Sequence, residues 1–270
     1  MAQYGAPAGA PVLVFHGLPG SRRQRHPDDT IARELGVRLL HLDRPGFGRS
    51  DPAPRRTITG FIADVLAVCN VLGVKQLRLA GISGGAPYAL AMAALVPKLV
   101  ARTAIVSGIG PPGTMPIGQF RLRNYLGLLL APRAPWLVRP FTWGMGSLAL
   151  SDPAAYLRMV AGALGPADAA VLKRPDVRAM FVEDLAEAFA QSSRAMLHDL
   201  ALIGDDWGFA LETVRSPLRV WHGAADQAVP AAAARAIAGR VRGAELTLLP
   251  GEGHFLVFDR WREILAWLLS

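Results

Sequence analysis

Six short, nearly continuous apolar runs recur along the chain: Pro11–Phe15, Val37–Leu42, Leu77–Ile82, Arg102–Ser107, Leu218–Trp221 and Glu245–Leu249. Runs of this length without polar alternation fit strands buried on both faces. Helical patterns follow most of them. Asp28 or Asp29 stands where it could cap a helix ending at Gly36, and Thr57 where it could cap one ending at Gly73. Gly84–Leu95 and Ala231–Ile237 are alanine-rich, and Phe258–Leu269 is the last helical stretch. The alternation predicts an α/β fold: a mostly parallel sheet of about six strands, flanking helices and right-handed crossovers.

One stretch breaks the rhythm. Residues 111–215 open with Pro111-Pro112-Gly113, hold no good strand and read as helices. Val177, Phe181, Leu185 and Phe189 recur four apart, and the pattern continues through Met196 and Leu200. The expected organisation is a core of residues 1–110 and 216–270 with a helical cap inserted at 111–215. Trp136, Phe141, Trp143, Met145 and Trp207 make the insertion greasy. Most such side chains are expected to fill a core of the cap's own. A minority would line a pocket between cap and sheet, where small-molecule sites concentrate.

Composition narrows the picture. At 270 residues, with 51% hydrophobic and 19% charged residues, disorder is excluded. A single cysteine, Cys69, excludes an intramolecular disulfide and reads as buried and inert. No run of 18 apolar residues suggests a membrane span. Met1-Ala2-Gln3-Tyr4-Gly5 lacks the basic start of a signal peptide, so a cytoplasmic location is expected. The net charge is +8, with arginine far in excess of lysine (Lys75, Lys98 and Lys173). The densest basic cluster is Arg22, Arg23, Arg25 and His26, followed by Arg55 and Arg56. No nucleic-acid motif accompanies it, so it reads as compositional habit and no nucleic-acid partner is expected.

The candidate chemistry begins at Gly81-Ile82-Ser83-Gly84-Gly85, a G-x-S-x-G pattern between a strand run and a helical run. Strand, sharp turn and helix are what an exposed nucleophilic serine needs. A serine hydroxyl is a weak nucleophile and requires a base. Of six histidines, only His254 lies in a loop just after the last strand, flanked by Gly251, Gly253 and Pro250. Its orienting carboxylate is expected to be Asp226, after the preceding strand. Asp226 could instead cap the helix from Ala231, and one side chain could hardly do both. The oxyanion would be held by the amides of Gly84 and Leu18. Pro19 has no N–H, and Gly17 gives the turn its freedom. His16, Gly17, Gly81 and Gly85 are expected to shape the site. No metal or organic cofactor is called for.

With those residues assembled, the chain resembles the α/β-hydrolase superfamily. The resemblance rests on His16-Gly17-Leu18-Pro19-Gly20, Asp43-Arg44-Pro45-Gly46-Phe47-Gly48-Arg49-Ser50, the Ser83 turn, His222-Gly223 with Asp226, and Gly253-His254-Phe255. The order Ser83, Asp226, His254 is that of the superfamily. It implies a serine hydrolase, and most directly a carboxylesterase acting on small to medium apolar esters. Epoxide hydrolases and haloalkane dehalogenases of the superfamily use an aspartate where Ser83 stands. A proline-iminopeptidase-like aminopeptidase would need cap carboxylates to grip an amino group, with Asp184, Glu187, Asp205 and Asp206 as candidates. A C–C bond hydrolase would share the triad, and a non-catalytic receptor on the same scaffold is the remaining alternative.

Relatives carry an antiparallel strand pair before the first strand here, and only ten residues precede Pro11. Either the natural start lies elsewhere or the sheet is cut to about six strands. The Val37–Leu42 edge is then expected to pair with a second chain as a homodimer, or to be shielded by the N-terminal segment. Pro45 also departs from many relatives, and Asp43–Ser50 reads as a structural loop near the site. The expected partner is a small apolar ester, without integral membrane association.

Overall fold

The computed structural model describes residues 1–114 and 122–270. Seven strands form one sheet: β1 (Ala2–Gly5), β2 (Ala10–Phe15), β3 (Val37–His41), β4 (Leu77–Ile82), β5 (Val100–Val106), β6 (Leu218–Gly223) and β7 (Glu245–Leu249). Their order is β1-β3-β2-β4-β5-β6-β7. All neighbours run parallel except β1, which pairs antiparallel with β3 from Ala2 opposite His41 to Gly5 opposite Arg38.

The expected six strands are therefore corrected to seven. The extra one is the N-terminal tetrapeptide, too short to show an apolar run. Of the two expected covers for the Val37–Leu42 edge, the chain's own N-terminal segment is the one present. Tyr4 fixes it by setting its ring edge-on to His41, with centroids 5.2 Å apart.

The alternation of side chains across each strand divides the core. Val12 and Val14 of β2 join a cluster on one face, and Leu13 and Phe15 join a cluster on the other. The first face is covered by α1 (Thr30–Glu34) and α11 (Val257–Leu269). The second is covered by α2 (Phe61–Val71), α3 (Ala86–Leu95) and α10 (Ala231–Arg240).

Between β5 and β6 lie α4 (Leu122–Leu130), α5 (Pro135–Ser151), α6 (Pro153–Leu164), α7 (Pro166–Lys173), α8 (Pro175–Ala188) and α9 (Arg194–Ile203). Proline opens α5, α6, α7 and α8, where its missing N–H costs nothing. The single helix expected across Val177–Leu200 is broken after Ala188. There Gln191 turns away to donate to Gly48 O and Ser50 O, at 2.9 and 2.8 Å. These helices do not enclose a core of their own. Leu157, Leu172, Phe181 and Leu185 pack in one cluster with Val14, Trp261 and Leu265. Trp136 and Trp143, expected inside, are exposed.

Candidate active site

β4 ends in a turn at Ser83, whose φ of 51° lies in the left-handed region that a side chain rarely occupies. The strain lifts Ser83 Oγ off the sheet edge. Gly85 makes the turn feasible, because a Cβ there would overlap Phe15 O. Gly81 stands against Ala86 and Ala89 of α3 for the same packing reason.

His254 stands in the loop between β7 and α11. Ser83 Oγ lies 3.0 Å from His254 Nε2, and His254 Nδ1 lies 2.8 Å from Asp226 Oδ2. With Nδ1–H donating to the carboxylate, Nε2 is left to accept the serine proton. Asp226 also braces its own turn, a role distinct from the helix cap considered from the sequence. Its Oδ1 accepts from the amides of Ala228 and Val229 at 2.8 and 2.9 Å, while Oδ2 serves the histidine. The helix cap ahead of Ala231 is Pro230, not Asp226.

Burial alone would push both groups toward neutrality. For Asp226 it is outweighed by His254 and hydrogen bonding, which hold the carboxyl below its usual range. For His254 it is outweighed by Asp226, with Asp168 adding to it, so the imidazole titrates above its ordinary value.

The turn after β2 brings Leu18 beside the serine. A Cβ on Gly84 would stand 2.8 Å from Leu18 Cβ and 3.4 Å from Leu18 N, so the two expected amides belong to loops in contact. Gly17 N–H is already donated to Gln24 Oε1 at 2.5 Å. His16 is buried and set against Gly17 O at 2.9 Å, and burial together with Arg44 holds it well below its usual pKa. It is a neutral prop for the turn.

A model of the Alpha/beta hydrolase family matches residues 12–267. The chain belongs to that family. A 2-hydroxy-6-oxononadienedioate/2-hydroxy-6-oxononatrienedioate hydrolase from a Pseudomonas species is 31% identical over 129 residues, which is 45% of this chain and 45% of that protein. A sn-1-specific diacylglycerol lipase of Xenopus tropicalis is 32% identical over 113 residues, 42% of this chain and 35% of the lipase. The matched stretches thus span less than half of these curated relatives. Among solved structures, the enol-lactonase of Burkholderia xenovorans LB400 superposes with a TM-score of 0.73 at 19% identity, covering 99% of this chain and 95% of that one. That likeness is one of fold.

This alpha/beta hydrolase ties its inserted helices to the site through three buried aspartates that sequence reasoning missed or placed elsewhere. Asp168 of α7 accepts the amide of Phe255 at 2.7 Å, next to His254. Asp184 of α8 accepts from Ser21 N and Ser21 Oγ, both at 2.7 Å, and from Gln24 Nε2 at 3.0 Å. Asp199 of α9 pairs with Arg44 at 2.7 Å and Arg56 at 2.5 Å, and accepts the Tyr88 hydroxyl at 2.9 Å. Arg44 in turn donates to the carbonyls of His16 and Gly17, at 2.6 and 3.0 Å. Much of the basic cluster is spent in such pairs, since Arg22 binds Asp43 and Glu187 at 2.5 and 2.7 Å. The Asp43–Ser50 loop is structural, as expected, but its Arg44 also braces the turn after β2.

Ser83 and His254 open onto a cavity of about 250 Å³ between sheet and inserted helices. Its wall is mostly apolar, from Leu128, Phe141, Met145, Leu157, Phe181 and Leu200, with Arg25, His26 and Asp184 as charged or titratable lining. Of the cap carboxylates considered for gripping an amine, Asp184 reaches the cavity but already holds three donors. Glu187 is paired with Arg22, and Asp205 and Asp206 are exposed. Among the described residues no cluster of three His, Cys, Asp or Glu side chains is arranged to hold a metal. No helix of the described residues is long and apolar enough to cross a membrane.

Proposed function

We propose that this chain is a serine hydrolase that cleaves carboxylic esters of small to medium apolar acyl groups. The observation that carries the reading is the unbroken line Ser83 Oγ–His254–Asp226, at 3.0 and 2.8 Å, on the wall of an apolar cavity. In this mechanism Ser83 Oγ attacks the ester carbonyl and His254 Nε2 takes its proton. Asp226 holds the imidazole in the right tautomer and stabilises its positive charge. The amides of Leu18 and Gly84 receive the oxyanion. His254 then returns the proton to the leaving alcohol, and water repeats the cycle on the acyl-enzyme.

The cavity's size supports the acyl range, because about 250 Å³ falls below the roughly 300–1,000 Å³ of pockets that take drug-sized ligands. A series of p-nitrophenyl esters from acetyl to palmitoyl tests the reading. Turnover should peak at a short or middle chain and fall on the order of a millionfold in Ser83→Ala. Turnover that survives that substitution would remove Ser83 from the mechanism.

A second reading, hydrolysis of a C–C bond in a vinylogous diketo acid, draws on Arg25 in the cavity wall, whose charge suits an anionic substrate end. The Pseudomonas relative bears a name of that class. Turnover of a diketo acid with none on any ester would favour it. Absence of turnover on both, with a tight small-molecule ligand, would favour a receptor.

A further inference from the structure

Seven of the eleven exposed large apolar side chains among the described residues lie on α4 and α5. On α5, Trp136, Trp143 and Leu150 are 70%, 67% and 53% exposed. They are seven residues apart and so form one stripe along the helix. Arg139 is exposed between the two tryptophans on that stripe, and Arg133 is exposed just before the helix. The opposite side of α5 is the cavity wall, through Phe141 and Met145.

Along the sequence, the charge on either side of the stripe is one-sided. From Val65 to Ser151 the sequence holds no aspartate or glutamate. The next carboxylate, Asp152, caps α6 by accepting the Ala155 amide at 2.8 Å. Isolated exposed apolar residues are ordinary on a protein surface, but two exposed tryptophans and a leucine aligned along one side of a single helix are not. Tryptophan belongs where one side of the ring is apolar and the other wet, and arginine beside it suits anionic headgroups.

We infer that the outer face of α5 is a docking surface for anionic lipid bilayers, lying flat in the headgroup region. A second copy of the chain fits this face less well, since a two-fold contact centred between Trp136 and Trp143 would bring Arg139 against its own counterpart. With α5 in the interface, the catalytic cavity would lie one helix diameter, about 10–12 Å, from the lipid. The inference is independent of which bond Ser83 attacks.

The test uses the full chain and vesicles of phosphatidylcholine alone or mixed equally with phosphatidylglycerol. The expected result is co-sedimentation with the mixed vesicles, weakened by salt, with a blue shift of tryptophan emission. Trp207, Trp221 and Trp261 are buried and Trp267 is half-buried, so the part of the shift that Trp136→Ala with Trp143→Ala abolishes reports on the stripe. Trp136→Ala with Trp143→Ala should weaken partitioning by about tenfold or more. Arg139→Ala should weaken it by about fivefold, and only on the anionic vesicles. An unchanged circular dichroism spectrum would show that these surface variants fold. No partitioning by the wild type would overturn the inference. So would binding untouched by the variants, or a dimer in sedimentation equilibrium that the same variants dissociate without any lipid binding.

Discussion

The chain of hydrogen bonds from α8 to the turn after β2 has a fixed polarity, and this can be broken and restored by design. Gly17 N–H donates to Gln24 Oε1, and Gln24 Nε2 donates to Asp184 Oδ2. Gln24 cannot flip without facing Gly17 N–H with a second donor. Asp184→Asn keeps the side chain's size. Its remaining oxygen is still claimed by Ser21 N and Oγ, so its new amide group confronts Gln24 Nε2, donor to donor. The loss is one buried hydrogen bond, with two donors left facing each other, about 1–3 kcal/mol of stability. Gly17 adjoins Leu18, whose amide is assigned to the oxyanion. Complete loss of such a donor costs about 10²–10³ in kcat. The turn keeps its hold from Arg44, so the expected fall is smaller, about tenfold in kcat (~1.4 kcal/mol), with KM nearly unchanged. Gln24→Glu combined with Asp184→Asn supplies acceptors to both neighbours and should recover most of the loss. Steady-state kinetics on a short p-nitrophenyl ester and thermal melts of the wild type, both singles and the double variant complete the cycle. A folded Asp184→Asn enzyme with unchanged kcat would refute the argument, as would a double variant no better than the single.

Other expectations follow from the same geometry. The base must be neutral to act, and Asp226 holds His254 above its ordinary value, so kcat/KM should be lost as pH falls through a pKa above about 6.5. Asp226→Asn should move that acid limb downward and lower kcat by about 10⁴; an unmoved limb in a pH–rate profile would assign the titration elsewhere. Burial pushes the Asp184 carboxyl up to about 7, against the hydrogen bonds it accepts. The folded state therefore binds this proton more tightly than the unfolded chain. The stability it contributes is present below about pH 4 and is lost as pH rises through 7, a slope that melts of Asp184→Asn should lack. Asp199→Ala leaves Arg44 and Arg56 buried without their partner and should cost about 3–5 kcal/mol, read as a large fall in denaturation midpoint. Deleting residues 1–6 uncovers the β3 edge and should produce concentration-dependent association in light scattering; a monodisperse monomer would show that β1 does not protect that edge.

How far the sequence can be read depends on how far each signal reaches along the chain. Ser83 stands out because its glycines, strand and helix are adjacent, and His254 and Asp226 because each follows a strand run in a glycine- or proline-shaped loop. The structure brings these three within hydrogen-bonding distance. Asp184 and Ser21 are 163 residues apart, and Asp199 and Arg44 are 155. Nothing local distinguishes such an aspartate from a solvated one on a helix. The Val177–Leu200 periodicity is genuine, but it does not reveal that Gln191 bonds to the loop at Gly48 and Ser50 and ends the helix. β1 is invisible in the sequence because four residues carry no period. The tryptophans of α5 are expected inside and lie outside because greasiness alone does not say which side of a helix faces the core.

The three aspartates of α7, α8 and α9 bear on how this enzyme type diversifies. Each holds a different segment of the core: the amide beside His254, the turn after β2 through Ser21 and Gln24, and the Arg44–Arg56 pair. A chimera that transplanted only these helices onto another member's scaffold would inherit the carboxyls without their recipients, leaving three buried polar groups unsatisfied. Recombination here should tolerate crossovers only when the receiving loops travel with the helices. The region is therefore a co-inherited unit rather than an exchangeable module, and directed evolution of its specificity is better begun at the cavity-facing apolar positions than by swapping the insertion whole.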